Sequence, residues 1–241
     1  MPTARPVRWD YVNEQIITAT VHGRYLVHPP AVPGPAPLLV GFHGYAEGAE
    51  IQLERLRAIP GSEDRLCVSI QALHPFYRRR DNHVVASWMT SQERDHAITD
   101  NIAYVNACLD AVISEWTIAP GAVFTGFSQG VAMAYRAAVH SSLTAAGVVA
   151  AGGDIPPELA PESLHRIQSA LLIRGTADAW YTKEKLAEDE RRLRSAGVEV
   201  ASLEFTGGHE WSAEATAAAG QFMADRQRPT NSRAAPDQSG N

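Results

Sequence analysis

A serine stands between two glycines in the segment GFSQG, residues 126–130, where its hydroxyl could serve as a nucleophile. The apolar residues before this segment predict a strand, and the pattern after it predicts a helix. A G-x-S-x-G turn between a strand and a helix strains the serine and exposes its hydroxyl at the positive end of the helix. Ser128 is therefore a candidate nucleophile, although serine is also a favoured N-cap residue of an ordinary tight turn.

A serine hydroxyl is a weak nucleophile and needs a base, which the later part of the chain can supply. Asp178 lies in a GTAD loop after one predicted strand, and His209 lies in a TGGHEW loop after the next. Serine, then acid, then histidine is the order in which α/β hydrolases carry a Ser-His-Asp triad. The alternative acid is Asp154, in an AAGGD segment after the preceding strand. Asp178 could instead be an aspartate that stabilises a turn or caps a helix, and His209 could be a loop histidine that binds only the backbone.

Acyl transfer also requires hydrogen-bond donors for the oxyanion of the tetrahedral intermediate. One candidate is the backbone N–H of Gln129, directly after the serine, and the other comes from the loop after an early strand. The segment LLVGFHGYAEG fits that loop, because Gly44 allows the chain to turn and Tyr45 can present its N–H. His43 is interpreted as a structural residue that ties the loop down rather than as a second base.

The elements that must position these residues follow from hydrophobic periodicity. Residues 7–27 alternate as two antiparallel strands, and short apolar segments then alternate with amphipathic helices, which is typical of a buried, mostly parallel sheet. The later strands are predicted at 38–43, 66–71, 122–125, 145–150, 170–174 and 198–205, and the helices at 49–59, 93–116, 129–140, 183–196 and 211–226. The highly charged helix at 183–196 is predicted to present a solvated face.

This pattern predicts an α/β fold with a mostly parallel sheet of about eight strands and helices on both faces. Because no boundary divides the core, residues 1–226 are predicted to form a single domain. Residues 227–241 are predicted to be a disordered polar tail. In such a sheet functional residues gather at the carboxyl ends of the strands, and Ser128, Asp178 and His209 all follow a strand in this way.

The segments FHGYAEG, GFSQG, RGTAD and GGHEW together resemble the phospholipase/carboxylesterase group of α/β hydrolases, over roughly residues 36–225. This group includes acyl-protein thioesterases and small bacterial carboxylesterases. The resemblance implies the α/β-hydrolase fold, with Ser128 as nucleophile, Asp178 as acid, His209 as base, and Tyr45 and Gln129 as oxyanion donors. It also implies hydrolysis of carboxylic esters through an acyl-enzyme, with no metal and no organic cofactor.

Other functions are compatible with the same residues. The enzyme could be a thioesterase or a lysophospholipase, because fold and triad do not decide between leaving groups and substrates. A non-catalytic, ligand-binding protein of the same fold is the alternative from another class. A lipid-surface enzyme is a further alternative, but no large apolar lid and no amphipathic helix of the kind that binds a lipid surface stands out, which favours short-chain, soluble esters.

The segment HPFYRRRDNHVVASWMTSQ, residues 74–92, is too long and irregular for a simple connector, and such loops often bind ligands. Its SWM sequence resembles an aromatic patch near the acyl site of the family, so Trp88 and Met89 are predicted to line the acyl pocket. Arg78, Arg79 and Arg80 would then face its mouth and favour anionic or polar substrates. The alternative is a packed surface loop with solvated arginines.

The composition argues against several partners. The 241 residues carry a formal net charge of -6 without a long basic block, so nucleic acid is not expected and the expected partner is a small-molecule ester. No apolar run approaches the ~20 residues that span a bilayer, and the first residues lack the apolar core of a signal peptide. Stable membrane insertion is therefore not expected, and the predicted location is cytoplasmic. Cys67 and Cys108 lie in apolar segments and are predicted to be buried.

Overall fold

The computed structural model describes residues 13–227, in which nine strands and six α-helices form. The strands are β1 (Arg24–His28), β2 (Ala36–Phe42), β3 (Leu66–Gln71), β4 (His74–Tyr77), β5 (Val84–Ser87), β6 (Ile118–Phe127), β7 (Ala145–Ala151), β8 (Ser169–Gly175) and β9 (Glu199–Phe205). The helices are α1 (Ala49–Ala58), α2 (Arg94–Glu115), α3 (Gln129–His140), α4 (Pro161–Leu164), α5 (Lys183–Ser195) and α6 (Ala213–Gln227).

Seven of the strands form one sheet in the order β1-β3-β2-β6-β7-β8-β9. Strand β1 runs antiparallel to β3, and the remaining neighbours are parallel. Strands β4 and β5 pair with each other as a separate antiparallel hairpin. The predicted α/β-hydrolase fold, with its mostly parallel sheet and covering helices, is confirmed.

The N-terminal strands and the segment 74–92 differ from the sequence-based expectation. About eight strands are predicted for the sheet, and seven are found in it. Most of the first strand predicted within 7–27 lies outside the described residues, while residues 13–23 form no strand and β1 begins at Arg24. The segment 74–92, predicted to be irregular, contains the β4–β5 hairpin, in which Phe76 pairs with Val85. The polar tail lies outside the described residues apart from its first residue, Gln227.

Helices pack on both faces of the sheet, and each face buries its own apolar cluster. One cluster includes Phe42, Phe124, Val105, Leu109 and Tyr135, and the other includes Leu39, Val123, Leu56, Ala219 and Phe222. A large apolar side chain that is fully buried contributes about 1.5–3 kcal/mol, and burial on both faces explains why the central strands lack alternation. Cys67 and Cys108 are buried as predicted, and burial raises the pKa of each thiol to about 11.

Candidate active site

Ser128 occupies a sharp turn between β6 and α3. Its backbone has φ 53° and ψ -120°, a conformation that costs a non-glycine residue on the order of 1–3 kcal/mol. The flanking glycines are required by close packing: a Cβ on Gly130 would stand 2.1 Å from the carbonyl oxygen of Phe42, and one on Gly126 would stand 2.4 Å from that of Gly130. The turn therefore holds the serine side chain out of the sheet at the first turn of α3.

The side chains of Ser128, His209 and Asp178 form one continuous hydrogen-bonded line. His209 Nε2 lies 2.8 Å from Ser128 Oγ, and His209 Nδ1 lies 2.7 Å from Asp178 Oδ2. The imidazole also packs against the ring of Phe127, with 5.1 Å between the centroids. When Nδ1–H donates to the carboxylate, Nε2 is free to accept the serine proton, which is the geometry of general-base activation.

Asp178 is buried and is held by donors on both of its oxygens. Oδ1 accepts from the backbone N–H of Trp180 at 2.8 Å and from that of Tyr181 at 2.9 Å, while Oδ2 faces His209. Burial opposes ionisation of this carboxyl, but the N–H of Tyr181, the His209 ring and the N–H of Trp180 outweigh it and hold its pKa below the usual range. Asp178 therefore stays ionised beside the imidazole.

Asp154, the alternative acid, has a different environment. Its carboxylate is half exposed and pairs with the ammonium of Lys185 at 3.3 Å. It lines the cavity beside Ser128 but shares no hydrogen bond with the side chain of His209 or of Asp178. The structure thus brings Asp178, and not Asp154, into contact with the histidine.

The loop that carries Tyr45 is fixed beside the start of α3. Glu47 Oε2 accepts from the N–H of Gly44 at 2.8 Å, and both Glu47 oxygens pair with Arg55, at 2.6 and 2.7 Å. Burial opposes ionisation of Glu47, yet Arg55 and the Gly44 N–H hold its pKa below the usual range. Gln129 is the first residue of α3, so its N–H has no partner within the helix.

His43 uses both ring nitrogens in this loop and its surroundings. Its Nδ1 lies 2.7 Å from the carbonyl oxygen of Gly44, and its Nε2 accepts from the N–H of Ala72 at 3.0 Å. Burial lowers the pKa of the imidazole and keeps it neutral. The ring therefore ties the loop to the end of β3, in the structural role that the sequence suggests.

Trp88 and Met89 do not line the cavity, contrary to the expectation from the sequence. The Trp88 indole is fully buried beneath the site, packs on the rings of Phe42 and His43, and donates its Nε1–H to the carbonyl oxygen of His43 at 2.9 Å. Met89 packs against the same core cluster. The indole points inward because its ring and its N–H both find partners there, which an exposed position would not offer.

The Gln129 side chain holds this segment in place, a role that the sequence did not reveal. Its Nε2–H donates to the carbonyl oxygen of Met89 at 2.8 Å, and its Oε1 accepts the N–H of Trp88 at 2.9 Å.

Arg78 does not reach the cavity, because it pairs with Asp81 within the turn of the β4–β5 hairpin. The arginine run is therefore placed in the hairpin turn rather than among the cavity-lining residues.

A cavity of about 590 Å³ opens beside Ser128, with a lining that is mostly apolar. Besides Ser128 and His209, it is lined by Tyr45, Gln129, Ala132, Asp154 and Trp180. Sequence reasoning missed Ala132 and Trp180. Ala132 could have been found from its spacing, four residues after the serine on the same helix face, and Trp180 from its place two residues after Asp178. Within residues 13–227 there is no group of three or more His, Cys, Asp or Glu side chains that could hold a metal ion.

The class of the protein is α/β hydrolase. This follows from the sheet order, the strained serine turn and the hydrogen-bonded contacts that link Ser128, His209 and Asp178. The profile of the phospholipase/carboxylesterase family matches residues 83–224, and the chain belongs to this family. The resemblance inferred from the four motifs is thereby confirmed. Searching curated proteins gives no match to the chain.

Solved structures of related enzymes share the fold. The Bacillus cereus carboxylesterase matches with a TM-score of 0.68 and 15% identity, over 85% of this chain and 94% of that one. The Zea mays acyl-protein thioesterase 2 matches with a TM-score of 0.64 and 18% identity, over 85% of this chain and 99% of that one. A phospholipase/carboxylesterase from Dyadobacter fermentans matches with a TM-score of 0.64 and 16% identity, over 86% and 99%. The family match and these neighbours support a hydrolase of the esterase and thioesterase kind.

None of the helices in the described part of the chain is long and apolar enough to cross a membrane.

Proposed function

We propose that the chain is a serine esterase that cleaves short-chain, soluble carboxylic esters through an acyl-enzyme. The observation that carries this proposal is the line of contacts from Ser128 Oγ to His209 Nε2 and from His209 Nδ1 to Asp178, at 2.8 and 2.7 Å. A serine that only capped α3 would not need a histidine at hydrogen-bond distance. The same contacts disfavour a non-catalytic, ligand-binding role.

In the proposed reaction His209 Nε2 takes the proton of Ser128 as Oγ attacks the ester carbonyl carbon. The N–H groups of Tyr45 and Gln129 stabilise the oxyanion, and each such donor is typically worth about 3 kcal/mol in the transition state. His209 then returns the proton to the departing alcohol. Water, activated by the same imidazole, attacks the acyl-enzyme and releases the acid, while Asp178 stabilises the charged ring in both halves.

The cavity supports a small-molecule ester as the substrate. Its volume of about 590 Å³ is in the range of pockets that hold small ligands, and most of its lining is apolar. Asp154 at its wall pairs with the Lys185 ammonium at 3.3 Å, so its charge is compensated and sets no preference against anionic substrates. Thioesters and lysophospholipids offer the same carbonyl chemistry. Three statements therefore stay predictions from the sequence: the preference for esters, a small-molecule ester as the only partner, and a cytoplasmic location.

Replacement of the nucleophile tests the proposal. Ser128→Ala is expected to lower p-nitrophenyl acetate turnover by about 10⁴-fold or more while the far-ultraviolet dichroism stays unchanged, because the three groups act as a unit. A fluorophosphonate is expected to label Ser128 in the wild type, as peptide mass spectrometry would show. Ser114→Ala, which removes an exposed hydroxyl at the end of α2, is the matched control and keeps full activity. A fully active Ser128→Ala would overturn the proposed function.

A panel of acyl chain lengths, offered both as oxygen esters and as thioesters, measures the preference within the hydrolase class. We expect kcat/KM to be highest for short acyl groups on oxygen esters. A higher kcat/KM for long-chain thioesters would move the assignment to a thioesterase and leave the roles of Ser128 and His209 unchanged.

A further inference from the structure

One buried carboxylate lies near the site and takes no part in the proposed chemistry. Asp189 belongs to α5, the highly charged helix, yet it is only 2% exposed. Its two oxygens lie 3.3 and 3.2 Å from the backbone N–H of Ile155, and Oδ2 also accepts the hydroxyl of Tyr181 at 3.0 Å. Asp189 therefore joins α5 to the loop after β7 and to the loop after β8.

Tyr181 connects this carboxylate to the acid beside the histidine. Its side chain is fully buried, and its hydroxyl binds Asp189 while its own backbone N–H donates to Asp178 Oδ1 at 2.9 Å. Its carbonyl oxygen accepts from Arg174 Nε at 2.8 Å. Tyr181 is thus fixed at the hydroxyl end by Asp189 and at the backbone by its neighbours, so a shift of the ring would move the N–H that holds Asp178.

The loop after β7 reaches the histidine directly. A Cβ on Gly152 would stand 3.1 Å from His209 Cε1, which shows how closely the backbone passes the imidazole. Three residues later Ile155 is held by Asp189, and its carbonyl oxygen accepts from Arg192 of α5 at 3.0 Å. Both loops that touch the His209–Asp178 pair are therefore anchored to the same helix, and Asp189 is the side chain that binds both.

We propose that Asp189 is a positioning residue for hydrolysis, which acts through Tyr181 and Ile155 to hold Asp178 against His209. This inference rests on the proposed function. Asp189 touches neither the substrate cavity nor the reacting atoms, and its effect reaches them through two hydrogen bonds. Substitution of Asp189 should consequently change the geometry of the acid and the histidine without removing any group that reacts.

The charged surroundings of Asp189 support a role beyond packing. The titratable groups that face it are Tyr181, Asp154, Arg192 and, from α3, Tyr135. Burial, with a contribution from Asp154, raises the pKa of Asp189 to about 6, against the opposing effect of Tyr181, the Ile155 N–H and Arg192. A carboxylate that ionises at such a cost is a poor choice for stability alone, and perturbed carboxyls of this kind are frequent at functional sites.

The test compares Asp189→Asn and Tyr181→Phe with Glu190→Gln, which removes one carboxylate charge from the same helix, at a partly exposed ion pair with Arg194. Two measurements are made: kcat and KM for p-nitrophenyl acetate, and the low-field proton resonance of His209 Nδ1–H in the resting protein. We expect Asp189→Asn and Tyr181→Phe each to lower kcat about 10-fold with KM nearly unchanged, because misplaced groups chiefly slow the chemical step. Both should shift or broaden the low-field resonance, and the double variant should be no worse than the stronger single one.

The resonance keeps this proposal separate from the proposed function, because it reports the contact between His209 and Asp178 without any turnover. If the wild type fails to hydrolyse esters and Ser128 resists phosphonate, the proposed function is lost, and a shifted resonance in Asp189→Asn still supports positioning. If Asp189→Asn does not fold, Tyr181→Phe decides on the same two measurements. Variants whose resonance and kcat match those of Glu190→Gln would overturn the role of Asp189.

Discussion

Asp154 and Asp178 show how one residue type takes two roles after neighbouring strands of the same sheet. Asp178 is buried, accepts two backbone N–H groups on one oxygen and faces His209 with the other. Asp154 is half exposed and pairs with Lys185. Only the first arrangement fixes the tautomer of the imidazole, because the carboxylate accepts from Nδ1–H and leaves Nε2 free. Burial and donors, rather than the residue type, distinguish the two.

The two aspartates give a direct comparison of residue roles. Asp178→Asn is expected to lower kcat for p-nitrophenyl acetate about 10⁴-fold, because an asparagine amide favours the wrong imidazole tautomer. Asp154→Asn should lower it less than about 10-fold, since it removes only a charge from the cavity wall. Steady-state kinetics on both variants, with circular dichroism to verify folding, measures the ranking. The reverse ranking would transfer the role of the acid to Asp154.

At the scale of elements, the unit of β6, the serine turn and α3 positions both the nucleophile and one wall of the cavity. Residues four apart lie on the same face of a helix. Ala132 lies one helical turn after Ser128 and therefore lines the same cavity. The segment around Trp88 packs below this unit and is held by the Gln129 side chain. Acyl preference should therefore be set by α3 rather than by Trp88.

Two substitutions separate these elements. Ala132→Leu adds three carbons to the cavity wall, so we expect the preferred p-nitrophenyl ester to become shorter while phosphonate labelling of Ser128 continues. Trp88→Phe should keep the wild-type chain-length profile and instead destabilise the fold by about 1–3 kcal/mol, because the indole N–H bond to His43 and part of the packing are lost. Kinetics over esters of two to twelve acyl carbons (about two carbons apart) and urea unfolding measure the effects. An unchanged profile in Ala132→Leu would show that α3 does not limit the acyl group.

For the whole molecule, the sequence predicts well the sheet and the close approach of Ser128, Asp178 and His209. Buried parallel strands leave a strong apolar signal, and their carboxyl ends meet at one edge of the sheet. It predicts side-chain direction poorly. Nothing local distinguishes an inward Trp88 from one that lines a cavity, because the hydrogen bond of its indole depends on a distant residue. Nor does the charged composition of α5 reveal that Asp189 alone among its acids is fully buried, since its partners come from two other loops.

The burial of Asp189 also makes the stability of the whole molecule depend on pH in a defined direction. Its pKa in the folded protein is raised from 3.8 to about 6, so the folded state binds this proton more tightly than the unfolded chain does. The stabilisation from Asp189 is therefore fully present below the unfolded pKa and is lost as the pH rises through about 6. At 1.36 kcal/mol per pKa unit, the loss amounts to roughly 3 kcal/mol.

Asp189→Asn removes this titration and leaves all the other groups in place, so their contributions cancel in the difference between variant and wild type. We expect the free energy of unfolding of Asp189→Asn, relative to wild type, to increase by up to roughly 3 kcal/mol between about pH 4 and pH 8. Urea unfolding at several pH values measures it, and Glu190→Gln should give a nearly constant difference, because a partly exposed ion pair between residues four apart on one helix contributes little. If the difference in unfolding free energy between Asp189→Asn and wild type were also constant, Asp189 would not be the buried titrating group. Its ionisation could then not make the loops that hold Asp178 and His209 sensitive to pH.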